Sequence, residues 1–571
     1  MTDRGGSAAP VGASAGTSGG TSGTSGGTSG TSGTPVGTFC LVLHTHLPWV
    51  AHAGTWPVGE EWLHQAFTGS WRRVLALLYR LAEAGRRDVL TLGVTPVVAA
   101  MLDDPYCLRE IHTWAALWQL RAEELATRRE PHLRELARHE FRAATECLAD
   151  LESGWLTGGL SARLRPLGDA GVVELLGGPA THPFLPLLEP RIAAAQLAIG
   201  LDDARLRLGR APAGIWAPEC GYVPGLERLY AAAGVERFDV DGPTVHGETG
   251  AAYPVGDSGV LCFPRDLEVT YRVWSPRSGY PGAPQYRDFH TFDHRSGFRP
   301  ARVTGQHVPP GEKKPWRPEL AAAAVRRDAA DFVTRVRDRL SELAARTGRP
   351  GLVVACYDTE LFGHWWYEGP AWLEAVLTAL PPAGVRVSTL AGAADTGHVG
   401  EPRSELPASS WGSGKDWRVW DNPAVADLAV IAKEVQQRLL SIVDVHCGRY
   451  RDTAVDQLAR EAFLATASDW AFMVTNGSAA DYARGRAVTH AARFTALADR
   501  LTADDSAFHS GRHSGRAGGR GDRDDGRGDH ADGGADRAGG DPLGRRREVD
   551  AYVSELRLLD GPFGHLDART I

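Results

Sequence analysis

Residues 351–370, GLVVACYDTELFGHWWYEGP, decide how this chain is read. Leu352 to Cys356 is a short apolar run rich in β-branched residues, the pattern of a strand buried on both faces of a parallel sheet. Upstream, Val325, Phe332, Val333, Val336, Leu340 and Leu343 recur at helical spacing, and Gly348 and Pro350 stop that helix. A helix therefore feeds a buried strand, and the strand runs out into Tyr357-Asp-Thr-Glu-Leu-Phe-Gly-His-Trp-Trp366. Carboxylates, a histidine and paired indoles at the carboxyl end of a parallel strand sit where α/β barrels keep their active sites. The plainer alternative makes Asp358 a cap for the next segment and the tryptophans ordinary core.

The same grammar recurs outward from this stretch. Phe39–Leu43 reads as a buried strand followed at once by His44-Thr-His46-Leu-Pro-Trp49. Val89–Leu92 leads into Gly-Val-Thr-Pro96, and Val172–Leu176 into GGPATHPFLP, which carries His182. Gly214-Ile-Trp216 runs into Ala-Pro-Glu219-Cys-Gly221. Arg237–Val240 is a fifth strand, Leu352–Cys356 the sixth and Val385–Leu390 the seventh, while Val260–Phe263 reads as a short strand inside a Gly/Pro-rich insert. Helical stretches such as Trp71–Ala84 and Arg191–Leu208 lie between the strands, and long ones between Leu108 and Glu152 form an excursion. Strands alternating with helices predict an α/β fold, an incomplete (β/α)7 barrel. Position carries more than count: His44 and His46, His182, Glu219 and Asp358 each follow a strand, at the same end of one sheet.

From about Val425 the pattern turns purely helical, through Ala426–Ile442, Ala454–Met473 and Ser478–Thr502. The expected organisation is a disordered Gly/Ser/Thr-rich tail over 1–37, a catalytic barrel over 38–395 and an α-helical C-terminal domain over 396–503. A disordered, charged, Gly-rich insertion over 504–546 and a last helix and tail over 547–571 complete it.

Bulk composition narrows the function. The chain has 571 residues, 43% hydrophobic and 23% charged, with a net charge of −8 and no basic stripe interleaved with aromatics, which excludes nucleic acid as the main partner. No segment has the length of a membrane span, so no membrane partner is expected. Seven scattered cysteines without a C-x-x-C pair fit a reduced, cytoplasmic protein. Seventeen tryptophans offer many indole faces for stacking on sugar rings or for filling cores.

Two carboxylates on neighbouring strand ends, among histidines and indoles, suit glycoside hydrolysis or glycosyl transfer. One attacks the anomeric carbon; the other protonates the leaving oxygen and then deprotonates the incoming nucleophile, the pair standing about 5–5.5 Å apart in retaining enzymes. Glu219, between Pro218 and Cys220 in a rigid turn, suits a nucleophile, and Asp358, among aromatics, suits the general acid/base. The structural alternative for Glu219 is a charge at a helix N-terminus. His-x-His with a further His and Asp also matches a hydrolytic metal site of the kind found in sugar-chain deacetylases. Neutral histidines that hydrogen-bond sugar hydroxyls account for the same residues, and we expect no metal and no cofactor.

HTHLP (44–48), GGPATHPFLP (177–186), GIWAPECGY (214–222), YDTELFGHWW (357–366) and ELPASSWGSGKDWRVW (405–420) together resemble the five successive motif regions of glycoside hydrolase family 57. Within it the likeness is to 1,4-α-glucan branching enzymes of the actinobacterial type. The resemblance runs from about Phe39 to Leu497 and resumes in the C-terminal tail. It implies a (β/α)7 barrel with a helical C-terminal domain, retaining chemistry and an α-1,4-glucan such as amylose or glycogen as partner. By position it makes Glu219 the nucleophile and Asp358 the general acid/base. His44, His46, His182 and Trp216 become sugar-binding residues, and Trp274, Trp411 and Trp420 aromatic platforms for the glucan. Asp469 becomes a residue of the helical domain reaching into the cleft. One departure stands out: the Glu219–Trp274 segment is shorter than in branching enzymes whose tyrosine-bearing loop covers the site, and Tyr253 is the expected counterpart. A short cover favours hydrolysis or 4-α-glucanotransfer by the same pair, and a non-catalytic glucan-binding role is the remaining alternative.

Overall fold

The computed structural model describes residues 35–275, 278–448, 450–513 and 542–571. The two low-complexity tracts expected to be disordered lie mostly outside these residues. At their edges the backbone is regular: the first strand begins at Gly37, one long helix runs to His513, and another starts at Pro542.

Among the described residues nine strands occur, in the order β1 (Gly37–Thr45), β2 (Leu90–Val94), β3 (Val173–Leu176), β4 (Gly214–Ile215), β5 (Arg237–Val240), β6 (Tyr253–Pro254), β7 (Leu261–Pro264), β8 (Gly351–Asp358) and β9 (Val385–Ser388). Parallel pairing runs β3-β2-β1-β8 in one sheet and β4-β5-β7 in the other. The Gly177–Ile215 bridge joins β3 to β4, and the Asp266 N–H donates to the Val354 carbonyl at 2.8 Å, tying the end of β7 to β8. Seven strands thus form a ring, with helices outside it.

One expectation about membership is corrected. Val260–Phe263 is not an insert strand: β7 pairs in parallel with β5 and sits beside β8 in the ring. β9, expected as the seventh strand, pairs only with Gly37–Cys40, on the edge of β1 that β2 takes from Val42 onward.

Parity along the strands decides what faces the ring's interior. Successive side chains point to opposite faces. Phe39, Leu41, Leu43, Val353, Ala355 and Tyr357 pack outward in the large core with the helices. Cys40, Val42, Leu352, Val354 and Cys356 fill the inside with Trp216 and Cys220. The next inward positions are His44 and Asp358, which are register partners. Both therefore arrive at the mouth of the ring by simple alternation.

The C-terminal region is helical: Ala426–His446, Thr453–Ala465, Ser468–Thr475, Ala480–His513 and Pro542–Leu559. Thr453–Ala465 is buried on nearly all sides, its polar residues Asp456, Gln457, Arg460 and Glu461 included. The expected single helix Ala454–Met473 is two helices. They part at Thr466-Ala467, where Ala467 bridges Pro183 and the Ser468 N–H donates to the His182 carbonyl at 3.1 Å. Periodicity carried straight through a break that only this tertiary pairing creates.

Gly363, in the loop after Asp358, has φ +115, and a β-carbon there would lie 2.0 Å from the Gly69 carbonyl oxygen. Gly363→Ala should cost at least about 2–3 kcal/mol, read as a lowered thermal midpoint, because both partners are backbone. Gly282→Ala, with open space around it, should be silent.

Candidate active site

Glu219 follows the two-residue β4 in a backbone turn that is left-handed at two successive non-glycine residues, φ +61 at Glu219 and +48 at Cys220. His182 shares that conformation at φ +55. Such positions cost of order 1–3 kcal/mol each and persist only where surroundings over-determine them. Here Asp239 of β5 does so, accepting from the Ala217 N–H at 3.0 Å and the Cys220 Sγ at 2.9 Å. From the other side the Trp411 N–H donates to the Glu219 carbonyl at 2.8 Å.

The Glu219 carboxylate is buried and held by two donors, the Trp411 indole Nε1 at 2.8 Å on Oε2 and the Ser468 hydroxyl at 2.9 Å on Oε1. A directed chain continues from it. With its proton committed to Glu219, the Ser468 oxygen accepts from His182 Nδ1 at 3.1 Å, and His182 Nε2 then accepts from His44 Nε2 at 3.1 Å. His44 Nδ1 is left buried without a protein partner, a lone pair available to a hydroxyl. Burial, then the neighbouring histidines, hold His44 and His182 well below the usual imidazole range, so both are neutral.

His46 links the barrel to the helical region. Its Nδ1 pairs with Thr95 Oγ1 at 3.0 Å and its Nε2 with the Asp469 carboxylate at 3.0 Å. Its backbone N–H donates to Glu360 Oε1 at 3.2 Å, which also takes the Trp71 indole at 2.6 Å. Asp358 is partly exposed, and among the described residues its carboxyl has no hydrogen-bonding partner.

Burial raises both carboxyls. Glu219 is pushed up to about 7 by desolvation and then by Asp469, against the pull of Trp411, Ser468 and His46. Asp358 is pushed up to about 6 by desolvation, with His46 and Arg265 opposing. The order is the reverse of what a nucleophile and an acid ordinarily show. The two donors on Glu219 favour its ionised form, whereas among the described residues no hydrogen bond does so for Asp358.

The tryptophans divide. Trp274 is 38% exposed and its ring pairs with that of Trp365 at 5.8 Å, so a free face is present. Trp411 spends its indole N–H on Glu219 and packs edge-on against Trp216. Trp216 is 1% exposed and stacks under His44 at 4.4 Å, so it supports that imidazole instead of offering a face itself. Trp420 is 3% exposed and stacks on Phe184 at 4.5 Å, a packing position and not an open platform. Tyr253 is also placed differently: its hydroxyl donates to the Glu248 carbonyl and Arg403 lies 4.4 Å over its ring, so it is no cover for Glu219.

His46, His182 and Asp469 offer ligand atoms within 4.8 Å of one another, enough to hold a metal ion by spacing alone. Both nitrogens of each histidine already pair with protein groups, so the set works as a hydrogen-bonded network. Sequence reasoning missed Ser468 and Glu360. Each adjoins a residue already singled out, Asp469 or Asp358, but nothing in the spacing marked them.

Comparison with known proteins places the geometry. The profile of glycosyl hydrolase family 57 matches residues 40–396, and that of the C-terminal region of 1,4-alpha-glucan branching enzymes matches 432–510. A probable 1,4-alpha-glucan branching enzyme of Mycobacterium tuberculosis is 53% identical over 489 residues, 82% of this chain and 93% of that one. The crystal structure of a branching enzyme from Thermococcus kodakaraensis in complex with glucose superposes at TM-score 0.80, with 30% identity over 94% of this chain and 96% of that one. An alpha-amylase structure from Thermotoga maritima superposes at TM-score 0.76, with 25% identity over 94% and 98%.

A raised carboxyl has a stability consequence. Because Glu219 is higher in the folded chain than unfolded, its contribution is present below about pH 4.5 and lost as pH rises through about 7. Glu219→Gln should match the wild type near pH 5 and exceed it at pH 8, by up to about 3 kcal/mol. Thermal melting across that range checks the sign.

Proposed function

The chain belongs to glycoside hydrolase family 57, and on that premise we propose that it is a 1,4-α-glucan branching enzyme whose chemistry runs through Glu219 and Asp358. The observation that carries the residue assignment is the asymmetry of the two carboxyls. Glu219 is fixed by two donors in a strained turn, as a nucleophile must be, and Asp358 stands at the mouth with a carboxyl free to move a proton.

Glu219 attacks the anomeric carbon of an α-1,4-linked glucosyl unit while Asp358 protonates the leaving 4-oxygen. The chain is then held as an ester on Glu219. Asp358 next removes the proton from a 6-hydroxyl of a second glucan, which displaces Glu219 and forms an α-1,6 linkage with retained configuration. His44 Nδ1 accepts a hydroxyl of the sugar at the cleaved bond, while Trp216 and His182 fix the imidazole that does so. His46 and Asp469 line the same wall, and Trp274 offers a face to the glucan chain. A glucan seated on Asp358 strips water from its carboxyl and raises it further, moving the proton onto the acid.

Amylose and glycogen are the proposed substrates. Among the described residues no helix is long and apolar enough to cross a membrane, and the proposed location is the cytoplasm, where seven free cysteines stay reduced. A second reading, hydrolysis or 4-α-transfer, is favoured by the short Glu219–Trp274 segment. In that segment Tyr271 is half-exposed beside Lys415, whose ammonium donates to the Trp411 carbonyl; it is the better candidate for a cover.

Proton NMR of amylose treated with the enzyme should show a growing α-1,6 anomeric signal with few new reducing ends. Reducing ends without that signal would identify a hydrolase. The pH profile of kcat/KM should be a bell with limbs near 6 and 7. Ser468→Ala should lower kcat/KM about 10–100-fold, a lost hydrogen bond to a charged group. It should also move the Glu219 limb upward, a shift that mere packing damage would not cause.

A further inference from the structure

A cavity of about 570 Å³ lies behind the loop that follows Asp358 and is lined by none of Glu219, Asp358, His44, His46 or His182. Its volume falls within the range of about 300–1,000 Å³ common to small-molecule sites. Aromatics line the wall together with seven arginines and five carboxylates, Glu61, Glu140, Glu146, Asp288 and Glu374, so the cations outnumber the acids. Arg72, Arg80 and Arg287 have carboxylate partners in Asp150, Glu374 and Glu140. Arg73, Arg121 and Arg299 have none among the described residues.

Arg73 donates only to the carbonyls of Gly69 and Tyr367. Arg299 donates to the Phe289 carbonyl and lies over the Phe289 and Phe292 rings. Arg121 lies over the Trp114 and Phe298 rings, and its Nε is buried without a partner. Glu61, held by the neutral Trp114 and Gln65 donors, and Glu140, paired with Arg287 and Trp118, act on Arg121 without touching it, as Glu140, Asp288 and Glu61 do on Arg299. Burial lowers all three guanidinium groups, Arg299 to about 10. All three are half-buried and none touches a carboxylate among the described residues, so their free N–H donors converge on one cavity and offer an oxyanion its partners.

The aromatic half of the wall adds a second requirement. Trp365 lines the cavity, is 37% exposed and pairs with the half-exposed Trp274. Indole faces of this kind take the apolar face of a pyranose. We propose that the cavity is a binding site for an anionic sugar, a hexose carrying a phosphate ester or a carboxylate, held by Arg73, Arg121 and Arg299 and stacked on Trp365. Guanidinium forks suit either oxyanion, since both present paired oxygens to two N–H donors. The site stands apart from the reacting carboxyls, so occupancy leaves Glu219 and Asp358 free.

Calorimetric titration of the full-length chain with glucose 6-phosphate and with glucuronate tests this, and the two probes separate phosphate from carboxylate. At least one should bind with a Kd below about 1 mM at low salt and weaken as salt rises. Arg121→Gln and Arg299→Gln should each cut that affinity at least tenfold, with branching of amylose and binding of maltoheptaose unchanged. Glu219→Gln should bind the probe like the wild type, so failure here is distinguishable from failure of the proposed reaction. Neither substitution breaks a direct ion pair, so the thermal midpoint should hold, which controls for folding; if one variant does melt early, the other carries the test. The proposal is overturned if neither probe binds more tightly than glucose, if folded arginine variants bind as the wild type does, or if inorganic phosphate binds as tightly as the sugar anions.

Discussion

The carboxylate of Glu219 is held between the Trp411 indole and the Ser468 hydroxyl, and the rest of the architecture is arranged around that pair of hydrogen bonds. The donors come from 192 and 249 residues further along the chain. Burial alone would leave a carboxyl neutral in such a place. Two directed donors give the charged form somewhere to exist, and one of them also hands the orientation on to His182 and His44. The helical region is therefore part of the Glu219 site, because the break at Thr466-Ala467 is what presents Ser468 and Asp469 to the barrel.

The barrel supplies the complementary constraint. Alternation along β1 and β8 delivers His44 and Asp358 inward at register-matched positions, and the strained turn after β4 delivers Glu219. Buried polar groups behind them are satisfied in turn: Glu360 gathers the Trp71 indole and the His46 amide, and Asp239 gathers the Glu219 turn. A network satisfied in this way specifies one geometry, since any slippage would orphan several buried groups at once.

Much of this was legible in the sequence wherever a side chain follows a short β-rich run. His44, His182, Glu219 and Asp358 each do, and strand parity fixes the rest. What escaped has a common physical cause. Ser468 and Glu360 act through partners hundreds of residues away, and no local period encodes such contacts. The helix break after Ala465 is imposed by pairing with Pro183, against a pattern that favours continuation. Val260–Phe263 reads as a short strand, but the Gly/Pro-rich residues around it mark an insert and hide that its neighbours make it a barrel strand. An indole in a motif does not disclose which face is covered: His44 covers Trp216, expected to bind sugar, and Phe184 covers Trp420, expected as a platform.

The central claim is that Glu219 carries the glucan chain covalently, poised by donors from the helical region. Trapping the intermediate tests it most directly. The enzyme would be incubated with a 5-fluoro-α-maltooligosyl fluoride, digested, and its peptides sequenced by mass spectrometry. The account predicts a single adduct, on the peptide containing Glu219, and markedly slower labelling in Ser468→Ala. An adduct on Asp358 or on any other residue would contradict it.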